Sequence, residues 1–122
     1  MNLDYTNKNI KPVYQAHKNA RIVIIGQAPG EKALKSGIPF NDISGERLRS
    51  WMGTNKETFY SDKIAILPVD FYFPGKAATG DLPPRKEFAG KWHPLLLKQM
   101  PQIKLTILLG AYAIKHYLSV HV

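Results

Sequence analysis

The sequence predicts an α/β domain built on a parallel sheet, and two observations carry that prediction. Three continuous apolar runs, "RIVII" at 21–25, "KIAILP" at 63–68 and "KLTILLG" at 104–110, have the composition of strands buried on both faces. The segments between them carry helical periodicity and helix end signals, and strands alternating with helices define an α/β fold with parallel strands. A three-layer α/β/α arrangement about one central parallel sheet is expected.

The elements follow in order. Residues 1–20 are polar with scattered aromatics and predict an arm or short helix ahead of a domain spanning 21–122. The first run stops at Gly26 in a turn-rich stretch, "GQAPGEKALKSGIPFNDISG". "SGERLRSWMG" predicts a helix with Ser44 as N-cap, Glu46 at its positive end, Leu48 and Trp51 or Met52 on one face, and Gly53 ending it. "TNKE" at 54–57 has capping-box spacing and predicts a short helix reaching Tyr60. Pro68 stops the second strand, and 69–84 is a Gly- and Pro-rich loop of a length that often serves function. "PPRKEFAGKWHPLLLKQM" predicts a helix starting near Pro84 and kinked or divided at Pro94, which has no amide donor. "AYAIKHYL" predicts a helix after the third strand.

Ligands of such sheets bind beyond the carboxyl ends of the strands. The GQAPG loop after the first strand and the "VDFYFPG" loop after the second both lie there and are expected to face one cleft. Gly26 and Gly30 allow close approach of a ligand, and Pro29 stiffens the loop. The loop is neither the G-x-G-x-x-G dinucleotide fingerprint nor a P-loop, since Gln27 follows Gly26 and no Gly-Lys-Ser/Thr follows. Taken alone, GxxPG is better read as an ordinary tight turn.

The chain has 122 residues, with 17 Lys and Arg against 9 Asp and Glu, for a formal net charge of +8. That excess favours a polyanionic partner, above all nucleic acid, or else is a soluble basic surface with no partner. There is no cysteine, which excludes disulfides, a thiol nucleophile and any cysteine-ligated zinc or iron–sulfur site. The longest apolar stretch, Leu105–Ile114, is too short to span a bilayer, and the N-terminus has no apolar signal core. A soluble cytoplasmic protein without a membrane partner is expected.

A wider pattern is more specific. "GQAPGEKALKSGIPFNDISGERL" resembles the first motif of the uracil-DNA glycosylase superfamily, especially family 4 and its relatives, with Gly26, Pro29, Gly30, Gly37, Pro39, Phe40, Gly45 and Leu48 in register. "LPVDFYFPG…GDLPPRKEF…W" and "LTILLGAYA" resemble that family's second strand with its loop and third strand with its helix, so the resemblance covers about 20–118. It implies base excision repair: hydrolysis of the N-glycosidic bond of a uracil flipped out of DNA. Phe40 would stack on the base, or else serve as core packing. Gln27, with the backbone of Gly26 and Ala28, would contact the base or hold the attacking water. Asp42 would position water or stabilise the cationic sugar, or else cap the following helix. Base-edge reading would fall to Val69 or Asp70, Asp70 being equally readable as a solvated loop residue. Lys32, Lys35, Lys76 and Arg85 are the candidate phosphate contacts near the cleft.

Departures from the pattern set further expectations. Family 4 carries an acidic residue where this chain has Ala33 and Leu34, and cluster cysteines at two positions matched by Tyr72 and Phe88, so no cofactor is expected. The family's His-Pro-Ser loop has no counterpart: the chain ends "LSVHV", with Val122 after His121, and His93-Pro94 lies within a predicted helix. The C-terminal strand and catalytic loop thus look to be missing. That implies weak or absent activity and an exposed sheet edge that a second copy would cover. Two other classes stand beside this one: a non-catalytic DNA- or nucleobase-binding module of the same fold, and a nucleotide-binding α/β protein unrelated to repair.

Overall fold

The computed structural model describes residues 10–78, 80–85 and 87–118. Its elements are β1 (Ile22–Gly26), α1 (Glu31–Ser36), α2 (Ile43–Met52), α3 (Lys56–Phe59), β2 (Ile64–Pro68), α4 (Glu87–Lys98), β3 (Leu105–Leu108) and α5 (Ala111–Leu118). The three strands form one sheet in the order β2-β1-β3, all parallel.

Alternation along the strands builds the two outer layers. Val23 and Ile25 of β1, with Ala65 and Leu67 of β2, face one side and pack with Ala89, Leu96 and Leu97 of α4 and Ala113 of α5. Ile24, Ile64 and Ile66 face the other side and pack with Leu48 of α2 and Phe59 of α3. The expected three-layer α/β/α fold is therefore present. A third cluster, Phe71, Tyr72 and Phe88, anchors the loop that follows β2.

The two edges of the sheet differ. At the β2 edge, 10–20 run as an extended arm rather than a helix. Gln15 and Ile66 exchange backbone hydrogen bonds of 2.9 and 2.8 Å, and Val13 donates to Phe71 O at 2.8 Å. Gln15 Nε2 also donates to Ile64 O at 2.6 Å. At the other edge no strand lies beyond β3 among the described residues, and Leu105 is 52% exposed. The third apolar run is thus an edge strand, not a strand buried on both faces.

Several boundaries differ from the sequence expectation. The N-cap of α2 is Asp42, not Ser44, and that of α3 is Asn55, not Thr54. α4 starts at Glu87 rather than near Pro84 and runs through Pro94 as one helix. Residues 31–36, expected as loop, form α1 between Gly30 and a left-handed Gly37. Residues 1–9 and the 119–122 segment with His121 lie outside the described residues.

Candidate functional site

The chain leaves β1 for β2 on one side and later returns to β3 on the other. A crevice is therefore expected at the carboxyl end of β1. A cavity of about 370 Å³ lies there, between the GQAPG loop, residues 39–44 and the end of β3. Its size falls within the usual range for small-molecule sites.

Gly26 forms its floor. An added Cβ would stand 3.2 Å from Cζ of Phe40, so the ring lies directly against the glycine. Phe40 has φ of 57°, the one positive value outside glycine among the described residues. For a bulky residue this conformation costs energy and persists only where the surroundings enforce it. Four neighbours do so. Buried Arg49 donates from Nη1 to Phe40 O at 3.2 Å. Tyr60 donates its hydroxyl to Pro39 O at 2.6 Å. Phe59 meets the Phe40 ring edge-on at 6.0 Å. Gly45 brings α2 so close that a Cβ there would fall 1.8 Å from Phe40 O. The Arg49 guanidinium also sits over the rings of Phe59 and Tyr60, at 5.3 and 5.6 Å. Burial pushes the Tyr60 hydroxyl pKa up, against the opposing pull of Arg49.

Asp42 divides its carboxylate between two tasks. Oδ1 accepts from Gly45 N–H at 3.0 Å and from Ser44 Oγ at 3.1 Å, capping α2. Oδ2 faces the loop, 3.7 Å from where a Gly30 Cβ would be. The capping role and a place in the cleft are therefore compatible. Gln27 lies across Gly110, whose φ of 86° and missing Cβ make room for it: a Cβ would meet Gln27 Oε1 at 2.5 Å. Ala28 lines the same cavity.

Val69 and Asp70 do not join this group. The Val69 side chain is buried in the layer with α4 and α5. The Val69 and Asp70 amides donate to Gly26 O and Gln27 O, each at 2.9 Å, joining the ends of β1 and β2. Asp70 is fully buried. Its carboxylate accepts from the backbone amides of Tyr72 and Arg85, both at 3.0 Å, and from Arg85 Nε at 2.7 Å and Nη2 at 3.1 Å. It ties the loop down instead of facing a ligand, and Arg85 is committed to it. Lys76 pairs with Glu31 at 3.3 Å on the surface. Lys32 and Lys35 are exposed on α1 beside the cleft.

Two cleft residues, and Arg49 behind the Phe40 loop, escaped sequence reasoning. Asp81 brings a second carboxylate to the cavity through the bridge between Lys76 and Asp81. Gly110 carried only a weak signal as the glycine ending an apolar run. Arg49 carried none, since it reads as a helix-surface arginine. Among the described residues no three His, Cys, Asp or Glu side chains gather as a metal site, and no helix is long and apolar enough to cross a membrane.

Behind the cleft, His93 braces its wall. Its Nε2–H donates to Pro68 O at 2.6 Å, which leaves Nδ1 to accept from Tyr117 Oη at 2.6 Å. Burial lowers the His93 pKa to about 4 and pushes the Tyr117 hydroxyl up to about 12. His93-Pro94 is a structural element of α4, apart from the cavity.

Helices on both faces of a parallel sheet, with a cavity at the carboxyl end of its central strand, define an α/β domain of the doubly wound class. A family model described as the Uracil DNA glycosylase superfamily matches residues 12–122. The chain belongs to that superfamily, and its function is glycosylase-like in general terms.

Proposed function

We propose that the cleft holds a uracil base extruded from DNA and that the chain hydrolyses its N-glycosidic bond slowly. The observation that carries this reading is the placement of Phe40. A clamped aromatic ring that lines a small cavity against a bare glycine suits stacking of a flat base. Gln27 supplies the amide donor and acceptor that a pyrimidine edge needs. Asp42 Oδ2 is the group that would orient water toward C1′. Water oxygen bonds to C1′ as the C1′–N1 bond breaks. The bonding pair leaves with the base, which takes a proton from solvent, while the water proton passes to the carboxylate or to solvent.

Slowness follows from the lining. Among the described residues, no Lys, Arg or His lines the cavity, so little faces the negative charge developing on the departing base. One preorganised donor at such a position contributes a factor of about 100 to 1,000. The same observation favours a second reading, a module that binds the base in DNA without releasing it.

A single-turnover assay on uracil-containing single-stranded DNA separates the two. Slow release that Asp42→Asn and Phe40→Ala each diminish supports the hydrolase. Binding of the uracil strand without release supports the module. Release insensitive to both substitutions removes the case for this cleft.

A further inference from the structure

A second depression lies on the far side of the 37–41 loop and shares Pro39 with the cleft. Its volume is about 760 Å³, and it runs between the arm on β2 and the loop and α3. Tyr14, 37% exposed, forms one wall, and Ile38, 43% exposed, forms the other. His17, Asn41, Lys56 and Tyr60 complete it, and no carboxylate lines it among the described residues. Lys11 and Lys18 stand exposed on the same arm.

We propose that this groove seats single-stranded DNA flanking the base in the cleft, with an unstacked base on Tyr14 and phosphates on Lys56 and the arm lysines. The inference rests on the reading of the cleft as a nucleobase site and gives the strand its path. Three features argue for a strand over other occupants. The Tyr14 ring is fixed edge-to-face on fully buried Phe71, with centroids 5.6 Å apart, and is thus a preorganised stacking platform. The ionisable side chains that line the groove are basic or phenolic, which suits a polyanion, and the aromatic and apolar walls hold base faces, which favours a nucleic-acid strand over an acidic peptide. The groove also abuts the cleft, so a neighbouring nucleotide meets it as soon as one base enters.

The probe is a labelled oligothymidylate of about 12 nucleotides, a length within the range that single-strand grooves hold. It is uracil-free, so groove binding is read apart from excision. Tyr14→Ser and Lys56→Glu are each expected to weaken binding by about five-fold or more, as loss of one stacked base or one phosphate contact does. Lys98→Glu, an equal charge change at the far end of α4, is expected to cost clearly less. A duplex of the same length is expected to bind more weakly, because its bases are not free to stack.

Equal losses for Lys56→Glu and Lys98→Glu, with none for Tyr14→Ser, overturn the groove. So does a duplex that binds as tightly as the strand, or no binding by the unmodified chain at low salt. If the losses appear as expected but a uracil strand is neither preferred nor affected by Phe40→Ala, the groove stands and the cleft reading falls.

Discussion

Gly26 and Phe40 are in direct contact, and a methyl group at the glycine would press on the ring: the nearest ring carbon would be 3.2 Å from an added Cβ, so the ring would have to give by a few tenths of an ångström. Phe40 has no easy way to yield, because Arg49 holds its carbonyl and Phe59 meets its ring. Gly26→Ala is expected to cost about 1–3 kcal/mol through overpacking and to weaken capture of the base. Urea denaturation with a parallel uracil-DNA binding titration checks this. Unchanged values in both would show that the ring is free to move.

Gly45→Ala is expected to be worse. The clash is with backbone, at 1.8 Å from Phe40 O, and no rotamer relieves it. A loss of at least about 3 kcal/mol is expected, near the upper end for a single substitution. A variant that melts within a few degrees of the parent would mean that the loop and α2 separate cheaply.

Asp70→Ala strands the buried amide of Tyr72 and the part-buried amide of Arg85, and removes the carboxylate that pairs with the Arg85 guanidinium. Breaking a buried pair of this kind costs about 3–5 kcal/mol, and less here because a third of the Arg85 side chain is exposed. The substitution is expected to lower the urea midpoint while leaving base affinity, measured on the folded fraction, near the parent value. A selective loss of base affinity would return Asp70 to the reading of the base edge.

Stability should fall in mild acid through His93. Its pKa is about 4 in the fold against the ordinary histidine value of 6.5, so the unfolded chain binds the proton first. The neutral ring's contribution is complete above pH 6.5 and is lost as pH drops from there toward 4, by at most roughly 3 kcal/mol. His93→Gln is expected to flatten the pH dependence of the urea midpoint across that window. A slope unchanged by the substitution would place the titration elsewhere.

What the sequence made legible, and what it hid, follows from the range of the interactions. β1 and β2 were plain because burial on both faces writes an unbroken apolar run. β3 writes nearly the same run although it is the last strand of the sheet among the described residues, since the number of neighbours a strand has is not encoded within it. α1 is too short to show a period and is bracketed by glycines that suggest turns. The resemblance placed Gln27, Phe40 and Asp42 at one cleft, and they meet there. It offered Asp70 for the same cleft, but that side chain is claimed by Arg85, 15 residues away across an irregular loop, a pairing no local pattern announces. The left-handed backbone of Phe40 was equally invisible, being imposed by Gly45 and Arg49 from the next helix.

The outer side of β3, beyond which no strand lies among the described residues, gives the chain a built-in reporter. Leu105 and Leu109 direct their amides to Arg21 and Ile25 of the neighbouring strand segment. Alternation then turns the amides of Thr106 and Leu108 outward. In hydrogen–deuterium exchange, these two should label quickly between slow neighbours, a zigzag within one strand. Anything that docks along that side, including another copy of the chain, would slow those two positions selectively and so register as contact before any change in shape or activity is measured.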